Sequence, residues 1–453
     1  MTPDEMAAID EAAPEAVEVL IGRAGAAVAR QALDLLGGTY GDRVVVLAGK
    51  GNNGADGRAA AERLALRGIR CRVIDAAEAP GVLPGADLVI DAAYGTGFHG
   101  EYHPPAPASP ETPILAVDIP SGVDGRTGEA GGEPWAATRT VTFAALKPGL
   151  LIGDGADLAG EVVVADIGLV VSGSRTHRVT GADVAGWLPE RPRSTHKWKS
   201  AVWLVAGSPG MTGAAHLATR SAQRGGAGYV RLSTPGSDTD PMAPTEAVVV
   251  PLPAEGWAGE VLDGAERFSS LAVGPGLGTG DDDAAQVREL VARSTAAIVI
   301  DGDGLKALGR QAAEVIGWRP DDAGPVVLTP HDGEYEVLTG GPPGPDRFAA
   351  ARELAASTGA VVLLKGSTTI VAAPDGTTWA ATAGDARLAT AGTGDVLTGL
   401  LAALLAQEIR ADRAAVAAAY LHGRAGDLAW RRGLVAGDLV HRLPAAFADL
   451  PGG

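Results

Sequence analysis

Short apolar strands that run directly into glycine-rich polar turns recur along both halves of the chain, and they constrain its fold most. In the first half, residues 44–48 are apolar and β-branched, and the turn GKGNNGADG follows at 49–57. In the second half, residues 297–300 lead into Asp301 and residues 361–364 lead into Lys365. Such strands are typical of parallel sheets covered by helices on both faces. The pattern predicts α/β domains with polar turns at the strand carboxyl ends.

The length of 453 residues exceeds one ordinary hydrophobic core, so it predicts two domains. Residues 169–200 lose the strand pattern and contain the sequence RPR at 191–193. This composition is typical of a connection between domains. We therefore predict a first domain at 1–172, a linker at 173–194 and a second domain at 195–453.

Composition excludes several classes of partner. The formal net charge of −18 disfavours non-specific binding to nucleic acids and to anionic membranes. The single cysteine, Cys71, excludes an intramolecular disulfide and fits a reducing compartment. No apolar run approaches the roughly 18 residues that span a bilayer, and the N-terminus lacks the pattern of a signal peptide. We expect a cytoplasmic protein.

Three polar turns in the first half indicate a binding site. The turn at 49–57 contains Asn and Asp side chains, Asp91 begins a second turn, and Asp118 begins a third. Their amide and carboxylate oxygens suit a hard cation or the hydroxyl groups of a polar ligand. Each residue type is also common in ordinary turns, which is the alternative. In a parallel sheet, however, the three turns would converge at one edge.

A second site is indicated where the sequence AGTGD at 391–395 opens a helix with apolar spacing. Small residues let a ligand approach the backbone, and a helix N-terminus attracts phosphate. Asp395 is either a helix cap or a general base toward a substrate hydroxyl. Among the other strand ends, His331 follows residues 326–328 in a polar turn. Lys365 is either a phosphate partner or a solvated charge.

The first half resembles the NAD(P)H-hydrate epimerase family. The resemblance is carried by the sequences GNNGADG at 51–57, DAAYGTG at 91–97 and VDIPSG at 117–122. It implies a Rossmann-like three-layer fold, catalysis by Asp118, and a potassium ion near Asn53, Asp91 and Ser121. Ala55 stands where the family usually has glycine, and we expect its methyl group to crowd the ligand or shift the turn. The hydrated nicotinamide would contact Asn52, Asn53, Gly54, Ala55, Asp56, Gly95, Thr96, Gly97, Phe98, His99, Gly100, Glu101 and Asp118.

The second half resembles the ribokinase-like superfamily and, more narrowly, its ADP-dependent NAD(P)H-hydrate dehydratase domain. The resemblance is carried by LTPH at 328–331, LKG at 364–366, AGTGD at 391–395 and YLHG at 420–423. It implies a ribokinase-like α/β fold and catalysis by Asp395. The hydrate would contact Ala214, Gly276, His331 and Asp395, and the nucleotide would contact Lys365, Gly366, Ser367, Thr368, Thr369 and Gly394.

Together the two resemblances imply a bifunctional repair enzyme, both isomerase and lyase. It would interconvert the R and S hydrates of NADH and NADPH (NADHX and NADPHX) and dehydrate the S form with ADP, giving AMP and phosphate. The implied cofactors are K⁺ and Mg²⁺, and we expect a homo-oligomer. Two alternatives remain open at this point. The second half is a kinase for a sugar or vitamin precursor, or the first half is a ligand-binding module without activity.

Overall fold

The computed structural model describes residues 1–38 and 41–452. The chain forms two compact units, one covering Met1–Ser174 and the other beginning at Arg175. We call them unit 1 and unit 2 and describe each by itself. None of the described helices is both long and apolar enough to cross a membrane.

Unit 1 contains a six-stranded, fully parallel sheet with the strand order β2-β1-β3-β4-β5-β6. Its core forms where helices α2 and α3 pack on one face of the sheet through alanine and valine side chains. Its helices are α1 (Pro3–Glu11), α2 (Val17–Leu36), α3 (Asn52–Ala65) and α4 (Gly153–Leu158), and its strands are β1 (Arg43–Ala48), β2 (Arg70–Asp75), β3 (Leu88–Ala92), β4 (Ile114–Val117), β5 (Arg139–Phe143) and β6 (Glu161–Ala165).

Unit 2 contains a ten-stranded sheet with the order β10-β9-β8-β11-β12-β13-β14-β15-β16-β7. Its strands are β7 (Thr176–Arg178), β8 (Ala201–Val205), β9 (Tyr229–Ser233), β10 (Val248–Val249), β11 (Ser270–Val273), β12 (Ala297–Ile300), β13 (Val326–Leu328), β14 (Val361–Leu364), β15 (Thr369–Ala372) and β16 (Thr378–Ala381). The β14-β15 and β15-β16 pairs are antiparallel, and the others are parallel.

The helices of unit 2 cover this sheet, and the most apolar of them, α13, is buried along most of its length. Helix α13 packs on α6 at very short range, since a Cβ atom at Gly399 would lie 1.9 Å from the carbonyl oxygen of Ala218. The helices are α5 (Gly181–Trp187), α6 (Gly213–Arg224), α7 (Trp257–Gly264), α8 (Asp281–Arg293), α9 (Asp303–Leu308), α10 (Ala312–Gly317), α11 (Asp332–Thr339), α12 (Arg347–Thr358), α13 (Thr393–Leu405), α14 (Ala411–Asp427) and α15 (Ala436–Ala448).

The predicted linker at 173–194 is corrected by the structure, because much of it belongs to the fold of unit 2. Strand β7 pairs with β16 in parallel, and Val179 and Val184 are buried in the core of unit 2. Thr180 caps α5, and its hydroxyl oxygen accepts a hydrogen bond from the amide of Asp183. The strand has three residues and the helix seven, so neither is long enough to show its period in the sequence.

Each sheet reverses its strand order once, and that reversal places the crevice where ligands bind in such folds. In unit 1, β1 lies between β2 and β3, so the turns after β1 and β3 border the crevice. In unit 2, β8 lies between β9 and β11, so the turns after β8 and β11 border it.

Candidate active sites

The polar turns of unit 1 converge as predicted, and glycines allow their close approach. A Cβ atom at Gly49 would lie 1.9 Å from the carbonyl oxygen of Ala93, and one at Gly54 would lie 1.9 Å from the carbonyl oxygen of Gly49. A side chain at either position would force the backbones apart. In the loop after β3, a Cβ atom at Gly95 would lie 3.4 Å from the Cβ of Asn53, near the start of α3. The turns after β1 and β3 therefore form one continuous surface.

Asp91 and Ser121 join two of these turns. The carboxylate of Asp91 accepts hydrogen bonds from the Ser121 hydroxyl at 2.6 Å and from the Ser121 amide at 2.9 Å. The Ser121 hydroxyl oxygen also accepts a hydrogen bond from the Tyr94 amide at 2.9 Å. Burial raises the pKa of Asp91, and the hydrogen bonds from Ser121 oppose that shift. Among the described residues, no lysine or arginine forms an ion pair with this carboxyl group.

Asn53 has an unsatisfied side chain in the same crevice. Its Oδ1 and Nδ2 atoms are both buried, and neither has a hydrogen-bond partner in the described part of the chain. Buried amide groups are normally hydrogen-bonded, so an unpaired one indicates a group that is supplied from outside the chain. Asn53, Asp91 and Ser121, which sequence reasoning assigned together, therefore lie on mutually contacting turns.

Asp118 is held by Lys147. The Lys147 ammonium group donates to Asp118 Oδ1 at 2.5 Å and also donates to Thr142 Oγ1 and to the carbonyl oxygen of Phe143. Asp118 has φ of +67°, a left-handed conformation that is uncommon for a residue other than glycine. Such strain persists only where the surroundings hold it. Sequence reasoning missed Lys147, because no sequence signal links it to a carboxylate 29 residues away.

Two further carboxyl groups lie near Asp118. Asp56, in α3, is 7% exposed, and burial together with the charges of Asp118 and Asp10 raises its pKa to about 8. Burial also raises the pKa of Asp10, in α1, where Lys147 opposes the shift and Asp118 adds to it. Sequence reasoning assigned Asp56 to the hydrate but missed Asp10. Helix α1 brings Asp10 to the site, and the chain terminus secures that helix by donating from the Met1 ammonium to the Leu146 carbonyl oxygen.

The remaining residues assigned to the hydrate in unit 1 form two neighbouring segments. Asn52 to Asp56 form the start of α3, and Gly95 to Glu101 form the loop after β3. The Phe98 ring contacts the Tyr94 ring with 4.8 Å between centroids. Ala55 lies in regular helix, and its amide donates to the Gly51 carbonyl oxygen at 3.1 Å, so glycine is not needed there.

In unit 2, the alternative role of Asp395 as a helix cap is wrong. The cap position of α13 is Gly392, with φ of +90°, and no side chain caps the helix there. Asp395 lies in the first turn, and no hydrogen bond from a described residue reaches its carboxyl group. Burial, together with the charges of Asp301, Asp303 and Glu334, raises its pKa to about 7, while Lys365 opposes the shift.

A buried charged cluster lies beside Asp395. The Lys365 ammonium group lies 2.8 Å from Asp301 Oδ1 and 3.3 Å from Glu334 Oε2. Asp301 also accepts hydrogen bonds from the hydroxyl groups of Thr329 and Thr398. Burial disfavours both charges, but the two carboxylates raise the pKa of Lys365, and Lys365 with its hydrogen bonds lowers the pKa of Asp301. Lys365 is therefore not the solvated strand-end charge that was one alternative.

His331 combines a structural role with an accessible nitrogen. Its Nδ1 atom accepts hydrogen bonds from the amides of Gly333 and Glu334 at 3.0 and 3.3 Å, so the ring caps α11. Nδ1 must then be unprotonated, and Nε2 carries the proton of the neutral ring. The side chain is 59% exposed, which leaves Nε2 accessible to a ligand.

The backbone positions assigned in unit 2 come together in pairs. A Cβ atom at Gly276 would lie 3.2 Å from the Cβ of Ala214, which joins two residues assigned to the hydrate. A Cβ atom at Gly394 would lie 3.8 Å from Lys365 Nζ, which joins two residues assigned to the nucleotide. The others, Gly366, Ser367, Thr368 and Thr369, lie between β14 and the start of β15.

His422 stabilises the turn at 391–395 by a hydrogen bond to its backbone. Sequence reasoning noted His422 only as part of the sequence YLHG at 420–423 and gave it no role. Its Nε2 lies 2.9 Å from the carbonyl oxygen of Thr393, so the ring donates this bond. Burial lowers the pKa of His422 to about 4, so the ring is neutral at physiological pH. The described residues contain no group of three His, Cys, Asp or Glu side chains arranged to hold a metal ion.

Comparison with known proteins gives matches over both units. Residues 202–447 match a family model described as NAD(P)H-hydrate dehydratase, and residues 17–84 and 75–149 match one described as YjeF-related protein N-terminus. A bifunctional NAD(P)H-hydrate repair enzyme of Moorella thermoacetica is 37% identical, with 90% of this chain and 88% of the relative covered. One of Mycobacterium tuberculosis is 35% identical, with 86% and 84% covered.

Two solved structures resemble unit 2. An ADP/ATP-dependent NAD(P)H-hydrate dehydratase of Bacillus subtilis, co-crystallised with ATP and Mg²⁺, has a TM-score of 0.53 and 31% identity. The match covers 60% of this chain and 98% of that one. A ribokinase-like superfamily protein of Enterococcus faecalis has a TM-score of 0.54 at 22% identity, covers 63% of this chain and 99% of that one, and shares the fold.

Proposed function

The chain belongs to the family of bifunctional NAD(P)H-hydrate repair enzymes, and from that premise we propose which residues of each unit perform the two reactions. Unit 1 interconverts the R and S hydrates of NAD(P)H. Unit 2 dehydrates the S hydrate to NAD(P)H and converts ADP to AMP and phosphate. The family membership confirms the resemblance found in the sequence and makes an inactive first unit or a sugar kinase the weaker alternatives.

The chemistry of dehydration explains the need for a nucleotide. Hydration of an enamine places the hydroxyl group on the ring carbon beside nitrogen, and hydroxide is a poor leaving group. Transfer of the terminal phosphoryl group of ADP to that hydroxyl forms a phosphate ester and releases AMP. Phosphate then leaves with the C–O electrons, a proton leaves the neighbouring carbon, and the ring double bond returns.

The observation that carries the assignment in unit 2 is the unpaired carboxyl group of Asp395 in the first turn of α13. A general base is most effective when its pKa lies near the working pH, and the pKa of Asp395 is about 7. Asp395 takes the hydroxyl proton as the oxygen attacks phosphorus.

The groups around Asp395 suit the charge of the moving phosphoryl. The first amides of a helix have no partners within the helix and bind anions. Gly394 leaves room for a phosphate at this point, and Lys365 Nζ lies close behind it. Phosphoryl transfer depends mainly on positioning and on electrostatic stabilisation. His422 holds the Thr393 carbonyl oxygen and thereby fixes the turn.

Magnesium binds to this protein through the phosphates of the nucleotide. The described residues offer no cluster for a resident metal ion, and Mg²⁺ commonly binds through nucleotide phosphates with few protein ligands. The residues present do not fit a resident Mg²⁺ site, so no step is assigned to one.

A potassium ion fits the crevice of unit 1. Within residues 1–38 and 41–452, Asn53 Oδ1 is buried without a partner, and no cationic side chain forms an ion pair with the buried Asp91. Oxygen ligands of this kind suit a hard cation. Asn53, Asp91 and Ser121 would hold the ion, and its chemistry would be to join the three turns that carry the hydrate. Asp118 supplies the carboxylate that exchanges a proton with the substrate during epimerisation.

The assignment is tested with purified S hydrate of NADH. The full chain is incubated with the hydrate and ADP, and the absorbance of reduced nicotinamide is followed, with ATP and no nucleotide as parallel reactions. We expect nucleotide-dependent recovery of NADH, with AMP and phosphate formed in equal amounts, and a preference for ADP. Absence of recovery with either nucleotide would contradict the dehydratase assignment.

A further inference from the structure

The carboxyl groups of Asp56 and Asp118 border the same crevice of unit 1 but differ in their partners. Asp118 is ion-paired with Lys147, whose side chain is 3% exposed. Asp56 receives no hydrogen bond or ion pair from the described residues, although it is only 7% exposed. Asp118 therefore lies beside a cation, whereas Asp56 lies near other carboxyl groups. Identical residue types in such different surroundings are a common sign of different protonation roles.

We propose that Asp56 is the general acid and Asp118 the general base of epimerisation, an assignment that rests on unit 1 being an epimerase. Epimerisation of a hydroxyl group beside nitrogen proceeds by loss and return of water. Asp56 gives its proton to the ring hydroxyl, the C–O bond breaks, and the nitrogen lone pair forms a C=N bond. Water leaves from one face of the ring.

Return of water on the other face completes the inversion. A water oxygen bonds to the same carbon, the C=N electrons return to nitrogen, and Asp118 takes the released proton. Asp56 is then a carboxylate and Asp118 is protonated, so transfer of one proton from Asp118 to Asp56 through water restores both groups. No oxidant or other reactant is consumed.

The topology places the two groups after different strands of the sheet. Asp56 lies in the helix after β1 and Asp118 lies after β4, with β3 between those strands. Neighbouring strands lie about 4.8 Å apart, so the two segments start roughly 10 Å apart. Enzymes that invert a sugar carbon place two carboxyl groups about 6.5–9.5 Å apart so that water fits opposite the leaving group. The spacing of about 10 Å between β1 and β4 is of the same order.

The surroundings of Asp56 favour its protonated form. Burial raises the pKa of Asp56 most, and the negative charges of Asp118 and Asp10 raise it further, to about 8. The nearest guanidinium along α3, that of Arg58, donates instead to the Gly49 carbonyl oxygen. The buried side chain of Asn53, in the same helix, has no hydrogen-bond partner among the described residues and provides a second sign of a ligand there.

The test uses the full chain without nucleotide, so that unit 2 cannot consume the S hydrate, and follows pure R hydrate by chromatography. Spontaneous epimerisation is subtracted at each pH. We expect wild-type kcat to fall above pH 8, because only protonated Asp56 is active. We expect Asp56→Asn to lower kcat at least 100-fold with little change in KM and to lose the alkaline fall. Asp75→Asn, at the end of β2, is the matched control and should keep the wild-type rate.

Each outcome has one meaning. If wild type does not exceed the spontaneous rate, the proposed epimerase function fails. If wild type exceeds it but Asp56→Asn has the same kcat and pH profile, the acid role of Asp56 fails while the function stands. Dehydration of pure S hydrate by Asp56→Asn should equal that of wild type, and an unchanged circular dichroism spectrum and thermal unfolding curve report correct folding of unit 1. If this variant does not fold, a wild-type kcat that stays constant up to pH 10 overturns the proposal.

Discussion

Each of the two sites contains a buried lysine beside an aspartate, but the pairing differs. In unit 1, Lys147 contacts Asp118, the carboxylate assigned to chemistry. In unit 2, Lys365 contacts Asp301 and Glu334, and Asp395 is left without an ion pair. The lysine of unit 1 thus holds the reacting group directly. The lysine of unit 2 holds its neighbours and only partly offsets their effect on the pKa of Asp395.

The difference shows how one residue type acquires two functions. A carboxylate with an ammonium group at 2.5 Å is held in position by a charge-assisted hydrogen bond. A carboxyl group among other carboxylates is harder to ionise and becomes a base near neutral pH. In unit 1 the group in the second situation is Asp56 rather than the ion-paired Asp118. The arrangement of charges, and not the identity of the residue, sets each role.

The largest expected effect comes from Asp395→Asn. General base catalysis contributes about 10²–10⁴ in rate, so we expect dehydration of S hydrate to fall by that factor. The amide keeps the shape of the side chain, and Asp395 does not cap the helix, so folding and nucleotide binding should remain. The measurement is kcat with ADP, and the control is epimerisation of R hydrate by the same variant. Dehydration within threefold of wild type would show that Asp395 is not the base.

The complementary variant is Asp118→Ala. We expect epimerisation to fall to the spontaneous rate, because the group that accepts the proton of water is gone. Dehydration of pure S hydrate should be unchanged, and an unchanged thermal unfolding curve should show that unit 1 is folded. The two variants are controls for each other. Loss of both reactions in either variant would contradict the separate assignment of the sites.

A smaller effect is expected from Lys365→Met, which separates the two lysine arrangements. Removal of the cation leaves the charges of Asp301 and Glu334 unopposed and raises the pKa of Asp395 further. We expect dehydration at pH 7 to fall about 10- to 100-fold and its dependence on pH to move toward alkaline values. The circular dichroism spectrum and thermal unfolding curve of the variant measure the folding of unit 2. An unchanged pH profile would mean that Lys365 does not influence Asp395.

The smallest expected effect is that of the cation. Replacement of K⁺ by Li⁺ at equal ionic strength should slow epimerisation by about two- to tenfold, because a smaller ion fits a loose set of oxygen ligands poorly. Dehydration should be less affected. An epimerisation rate that is independent of the cation would remove the potassium assignment and leave the unpaired Asn53 unexplained.

Much of the fold was predictable because its signals are local. Buried strands such as β1 and β12 are continuous apolar runs, and the comparisons confirm the α/β fold of unit 2, which a ribokinase-like superfamily protein shares. The short β7 and α5 were missed because three and seven residues do not show a period. The assigned turns also converge as expected, since strand carboxyl ends meet at one edge of a parallel sheet.

The electrostatics of the sites could not be predicted. Lys147 and Asp118 are far apart in sequence, as are Lys365 and Asp301, and only folding brings them together. The sequence left open whether Asp395 caps its helix, because an acid in a first turn fits both roles. The helix boundary decides this point, because α13 begins at Thr393 with Gly392 as its cap and Asp395 lies in the first turn. Asp10 carries no motif and reaches unit 1's crevice only through α1.

The most direct test of the account is the pH dependence of dehydration by the wild-type chain. The central claim is that Asp395 acts as an unpaired base with a pKa of about 7. Its active form is the carboxylate, whose fraction grows as pH rises through that value. With S hydrate and ADP saturating, kcat should rise about tenfold per pH unit below pH 6 and become constant above pH 8. A kcat that is constant from pH 5 to pH 8 would contradict the claim.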